Sequence, residues 1–243
     1  MNIVPTPNRN NTMLYISTES IKLEKNVQHN VLIYNQNGLN KKYDCAHDND
    51  RDNLNGYIFA DGFNYSGNCG TREFSTDNQE ILKKHFLEMV SKKDKINIVE
   101  IGVGRGKFAE SSSYIFIQNK RPGDVYVGID IEDKTYINDD SSNIFTVQSP
   151  SENIEHVFNI LKDHGVDEID FLMIDGLHSV NQCYIEWENY TKLLSSNGCV
   201  AIHDTNCHPG PYFLVNSIDT DMYDVYKYLD DVQDWGISVA VRK

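Results

Sequence analysis

Apolar residues in this chain gather into five short, nearly unbroken runs. They are INIVEI (96–101), DVYVGIDI (124–131), NIFTVQ (143–148), IDFLMI (169–174) and GCVAIHD (198–204). Each has the length of a strand and reads as buried. Between the runs the spacing becomes helical. Leu82, Phe86 and Met89 recur on one face, and Thr76 with Gln79 reads as a capping box at the start of that helix. KFAESSSYIFIQ (107–118) predicts a second helix. Ser149, Pro150 and Glu152 read as the N-cap, N1 proline and N3 partner of a third. Val180, Tyr184, Trp187 and Leu194 line one face of a fourth. YDVYKYL (223–229) and WGISVAVRK (235–243) predict a closing strand pair, although the first also suits a helix. Strand and helix alternate at short spacing. The pattern predicts an α/β fold, a mostly parallel sheet with helices on both faces and an antiparallel closing strand.

The pattern changes near residue 75. Residues 1–75 are rich in Asn and lack long apolar periodicity, so they form an N-terminal extension to a domain spanning 76–243. Asn37-Gly38 lies between two strand-like runs and predicts a β-hairpin. Asp48, Asp50 and Asp52 have the spacing of a calcium loop. Asn53 stands where such a loop needs glycine and Phe59 where it needs a bidentate Glu, so a solvated acidic loop is the reading.

Composition narrows the function. Of 243 residues, 22 are Lys or Arg and 36 are Asp or Glu, for a net charge of −14. Such a chain repels phosphate backbones, so no nucleic-acid partner is expected. No run reaches the ~18 apolar residues of a membrane span, and no signal-peptide pattern opens the sequence. Five cysteines without a CxxC pair suit a reducing, cytoplasmic setting. Cys207 and His208 beside His203 suggest zinc only weakly, because so short a stretch would have to fold back tightly on itself.

The first strand runs into VEIGVGRG, a turn with Gly102, Gly104 and Gly106. Glycines there let a cofactor approach the backbone closely. A dinucleotide site needs G-x-G-x-x-G; this chain has Lys107 at the third glycine. Glu100, just before the turn, would repel a pyrophosphate and suits a ligand with a positive amino group. S-adenosylmethionine (SAM) has such a group and no phosphate. The second strand ends in Asp130, which can accept both ribose hydroxyls. The fourth strand ends in Asp175 with His178 three residues on, and the fifth in His203-Asp204. Both ends reach the same edge of a parallel sheet. Two carboxylates there can share a divalent cation that acidifies a substrate hydroxyl, and a histidine can take its proton.

VEIGVGRG followed by YVGIDI resembles motifs I and II of the class I SAM-dependent methyltransferases, over about residues 76 to 243. The resemblance implies a Rossmann-like sheet. It implies that Glu100, Gly102, Gly104 and Gly106 hold the methionine and ribose parts and that Asp130 holds the ribose. It puts Ser149 at the adenine, a role that competes with its reading as a helix cap. DGLH (175–178) with NGCVAIHD (197–204) resembles small-molecule O-methyltransferases, among them sugar and natural-product enzymes and cephalosporin-hydroxylase-like proteins. That implies Asp175 and Asp204 as metal ligands, Asp175 also at the cofactor, and His178 as general base. Magnesium-dependent members carry an acid where this chain has His203, which is a poorer Mg²⁺ ligand. With His203 in the set, the metal stays open between Mg²⁺, Mn²⁺, Fe²⁺ and none. The expected activity is methyl transfer from SAM to a hydroxyl of a small polar acceptor such as a sugar. The extension is expected to act as a lid or an oligomerisation surface. Two alternatives remain: a SAM-binding or partner-binding protein without turnover, and an NAD-dependent oxidoreductase.

Overall fold

The computed structural model describes residues 74–106, 108–178, 180–206, 208–228 and 234–243, and the backbone of four short strands ahead of them. Those four are β1 (Asn2–Ile3), β2 (Tyr15–Thr18), β3 (Gln28–Leu32) and β4 (Lys42–Ala46), paired antiparallel in sequence order. The β3–β4 pair is the expected hairpin. Its Asn37-Gly38 turn, the acidic loop at 48–59 and Cys207 lie outside the described residues.

The main sheet begins after α1 (Thr76–Lys92). Its strands are β5 (Asn97–Ile101), β6 (Val125–Asp130), β7 (Ile144–Gln148), β8 (Ile169–Ile174), β9 (Leu194–His203), β10 (Tyr223–Tyr228) and β11 (Ile237–Arg242). The spatial order is β10-β11-β9-β8-β5-β6-β7. Pairs among β5 to β9 are parallel, and β11 runs antiparallel to both β9 and β10. Helices α2 (Ser112–Asn119), α3 (Ile154–Asp163), α4 (Val180–Tyr190) and α5 (Pro209–Ser217) complete the layers.

Two-sided burial explains the unbroken apolar runs. Phe171 and Met173 of β8 face a core made with Leu82, Phe86 and Met89 of α1 and Phe116 of α2. Leu172 and Ile174 face the other core, with Leu161 of α3, Trp187 of α4 and Leu214 of α5. Alternation still operates, but both faces demand apolar side chains.

Helix starts differ from expectation. Ser75, not Thr76, caps α1, accepting from the Asn78 backbone N–H at 3.0 Å. Helix α2 begins at Ser112 under a Ser111 cap. Helix α3 begins at Ile154, so Ser149 is not its cap; the Ser149 N–H instead bonds the Asp130 carbonyl at 2.8 Å, tying β7 to β6. Leu194 belongs to β9 rather than to a helix face, and 223–228 is a strand, not a helix.

Strand order reverses between β8 and β5, and their carboxyl ends nearly touch. Gly102, with φ +84°, passes so close to β8 that a Cβ would stand 2.0 Å from the Asp175 carbonyl oxygen. Gly104, with φ +54°, faces open space. The two positions therefore separate packing from backbone strain. Gly104→Ala should lower the unfolding free energy by about 1–2 kcal/mol, and Gly102→Ala by more than about 4 kcal/mol, measured by urea denaturation. Equal, small losses would show that β5 and β8 are not this close.

Candidate functional site

The glycine turn leaves β5 at the centre of the sheet's carboxyl edge. The Gly102 N–H bonds Ile129 O and the Asp175 N–H bonds Ile101 O, both at 2.9 Å, so three strand ends are laced together. Asp130, at the end of β6, accepts from the Val103 and Gly104 backbone N–H groups at 3.0 and 3.3 Å. Lys134 lies across this loop, donating to Gly104 O at 2.7 Å, with Asp130 3.9 Å away. Lys134 carried no signal in the sequence.

Two cavities open here. One, of about 420 Å³, is lined by Gly102, Gly104, Asp130, Ser149, Asp175 and Gln182, among others. The second, of about 510 Å³, is lined by Phe74, Gly102, Gly104, Asp175, His178, His203 and Asp204, among others. Both have Gly102, Gly104 and Asp175 in their walls.

Glu100 corrects one expectation. It lines neither cavity: it is fully buried beneath the turn, accepting from the hydroxyls of Ser112, Ser113 and Tyr126. A ligand's amino group does not reach it past that shell. Its task is to hold the start of α2 and the strand β6 against the loop. Burial pushes its pKa up to about 7, against the pull of the three hydroxyls.

The second cavity holds the charged cluster. Asp204 follows β9 with φ +60°, a left-handed backbone rare for Asp, and is buried. His178 Nε2 lies 2.6 Å from Asp204 Oδ2 and 3.7 Å from Asp175 Oδ1. His203 Nδ1 lies 3.2 Å from Asp175 Oδ1 and 3.1 Å from Asp204 Oδ1. The sequence expectation that these four residues converge is met. Burial alone would discharge the His178 imidazole, but the Asp204 and Asp175 carboxylates outweigh it and carry its pKa up to about 10. Burial also opposes the charge on Asp204, and His203 and His178 outweigh it, holding that carboxyl far below the usual range. The carboxylates favour the imidazolium of His203 as well, whereas an Asn78 amide N–H aimed at its Nε2 favours the neutral ring. An Nδ1–H is common to both forms. His208 stacks on His178 with centroids 4.4 Å apart, and burial with the His178 charge draws its pKa down to about 4.

The donor set suits a divalent cation. Asp175, His203 and Asp204 bring ligand atoms within 4.8 Å of one another, and Asp204 Oδ1 is buried without a hydrogen bond. The zinc-like pairing of Cys207 is untouched by this, since that residue is not described. Tyr184, Trp187 and Tyr190 are buried in the core. Asn78 and Asp234, which back the cluster from α1 and from the approach to β11, carried no pattern that marked them beforehand.

Residues 99–205, which contain every residue of this edge from the glycine turn to Asp204, match the family model described as "Methyltransferase domain". Over those residues the chain is similar to methyltransferase domains. Solved structures share its fold. One is the MycE methyltransferase of the mycinamycin biosynthetic pathway in complex with Mg, SAH and mycinamycin VI, at 17% identity and TM-score 0.50, covering 67% of this chain and 48% of that one. Another is apo CalS11, a TDP-rhamnose 3'-O-methyltransferase of calicheamicin biosynthesis, at 12% identity and TM-score 0.52, covering 69% and 81%. A third is an O-methyltransferase from Bacillus cereus in complex with SAH, at 16% identity and TM-score 0.50, covering 73% and 86%. The chain spans about half the length of the MycE protein. No curated protein matches the sequence. Among the described residues, no helix is long and apolar enough to cross a membrane.

The burial of Glu100 gives a pH signature. Its carboxyl rises from an ordinary 4.5 to about 7 on folding, so between those values the folded protein binds more protons than the unfolded chain. Wild-type stability should therefore fall as pH rises through that window. Glu100→Gln should lack this slope, gaining on wild type by up to about 3 kcal/mol between pH 5 and 8. Denaturation at the two pH values checks it; parallel curves would refute the buried placement.

Proposed function

We propose that the protein is a SAM-dependent O-methyltransferase acting on a small polar hydroxyl acceptor such as a sugar. One observation carries this reading: the two cavities meet at Gly102, Gly104 and Asp175, so a donor bound against the glycine turn abuts an acceptor beside the His–Asp cluster. The Mg- and SAH-bound MycE and the sugar enzyme CalS11 support the chemistry by fold.

In this reading Gly102 and Gly104 admit the methionine part, with Asp130 beside the ribose and Ser149 and Gln182 toward the adenine. SAM supplies an electrophilic sulfonium methyl, and the protein's share is proximity and alignment. Asp175 and Asp204 would hold the cation, with His203 beside them. A cation there would acidify the acceptor hydroxyl and neutralise the carboxylate charge that now keeps His178 protonated. His178 takes the hydroxyl proton at Nε2. Phe74 and Ser75 wall the acceptor cavity, which supports a role for the 1–75 extension in covering the acceptor or joining copies.

The test is calorimetric binding of SAH together with transfer of a tritiated methyl from SAM to a panel of nucleotide sugars. Wild type should bind SAH and label at least one acceptor, with labelling lost on chelation. His178→Ala should keep SAH affinity within about threefold while transfer falls at least about 100-fold. SAH binding with no labelling of any acceptor would favour a binding protein without turnover. No SAH binding by a folded sample would refute the reading.

A further inference from the structure

His203 counts as a metal ligand by distance, but the partner of its other ring nitrogen argues against that role. Nε2 lies 3.3 Å from Asn78 Nδ2, in the first turn of α1. The Asn78 amide is not free to turn over. Its Nδ2 also donates to Asp234 Oδ1 at 2.6 Å, and turning would set two oxygens face to face. Asp234 is buried and is an acceptor throughout: it takes the Ser75 hydroxyl on Oδ2 and the Gly236 N–H on Oδ1, the latter at 2.9 Å. An N–H aimed at Nε2 needs a lone pair there, which leaves the ring proton on Nδ1. Phe74 packs edge-on against the same ring, centroids 5.1 Å apart, and restrains its rotation.

The geometry points to His203 as a positioning residue: Asn78 and Asp234 fix its ring so that Nδ1–H braces the Asp175 carboxylate beside Asp204, and no lone pair faces the cation. This rests on the metal-assisted reading of the site and refines it. The protein's ligand atoms are then carboxylate oxygens alone, from Asp175 and Asp204. Oxygen donors suit Mg²⁺ and Mn²⁺, whereas an added imidazole would suit Zn²⁺ or Fe²⁺. Asp204 Oδ1 is buried with His203 Nδ1 3.1 Å away, and its other lone pair is left for such an ion. An N–H of this kind orients a ligand from behind, and losing the N–H itself is expected to weaken metal affinity by about 10–100-fold.

Two measurements on the 243-residue chain test this. The first is long-range ¹⁵N–¹H NMR of the histidine rings, with His203 assigned by its disappearance in His203→Asn. The expected pattern in the Mg²⁺-loaded protein is a protonated Nδ1 and a bare Nε2; a protonated Nε2 there overturns the proposal. In Asn78→Leu the proton should redistribute toward Nε2. A bare Nδ1, or an Nδ1 resonance that shifts as a ligand's does on adding Mg²⁺, overturns the proposal. The second is Mg²⁺ affinity by calorimetry. His203→Asn can set an amide N–H where Nδ1 stood and has no imidazole lone pair for a metal. It should hold Mg²⁺ within about threefold of wild type, while Asp204→Asn should lose at least about tenfold. Equal losses in both variants, each folded by circular dichroism, would make His203 a ligand. If wild type binds no Mg²⁺, the metal reading of the site falls, and the ring-proton pattern still decides what Asn78 and Asp234 do to His203.

Discussion

The close approach of β5 to β8 is the constraint on which the site depends. A parallel sheet opens a crevice where its strand order reverses, and here the reversal falls between these two strands. Only a residue without a side chain lets the chain leave β5 across the backbone of Asp175. That contact sets Asp175 directly beside the glycine turn, and so puts one carboxylate into the walls of both cavities. A longer separation would leave two unrelated pockets. Asp204 and His203, one strand further out on β9, then complete the second cavity.

The cluster on that side is electrostatically self-contained. Two carboxylates and two imidazoles compensate one another in surroundings where any one of them alone would be costly to ionise. The backbone strain at Asp204 belongs to the same arrangement, because the left-handed turn directs the carboxylate inward between the histidines. Glu100 is handled differently. It has hydroxyl donors but no cation beside it, and burial dominates its titration. Two acids a few ångströms from the same loop thus have opposite electrostatic characters, one held ionised by charge and one drawn toward neutrality by burial.

Much of this was legible in the sequence, for definable reasons. Strands buried on both faces leave continuous apolar runs, so β5 to β9 were visible as elements. Parallel strands send their carboxyl ends to one edge, so Asp130, Asp175 and His203-Asp204 could be placed together before their distances were known. The direction of Glu100 was not legible, because a residue at a strand end can face the ligand or the underlying helix, and the serines of α2 decided it. Asn78 and Asp234 were invisible for another reason: Asn78 meets His203 across 125 residues of chain and Asp234 meets Asn78 across 156, and single polar residues carry no periodicity. Helix starts slipped by one to several residues because Ser75, Ser111 and Ser149 look alike as caps, and only tertiary contacts choose among them.

Phe74 makes one last connection. It stands just ahead of α1, packs on the His203 ring and walls the second cavity. Asn78, four residues on, holds a nitrogen of the same ring. Change arriving from the residues before α1 can therefore reshape the second cavity while leaving the glycine turn as it is.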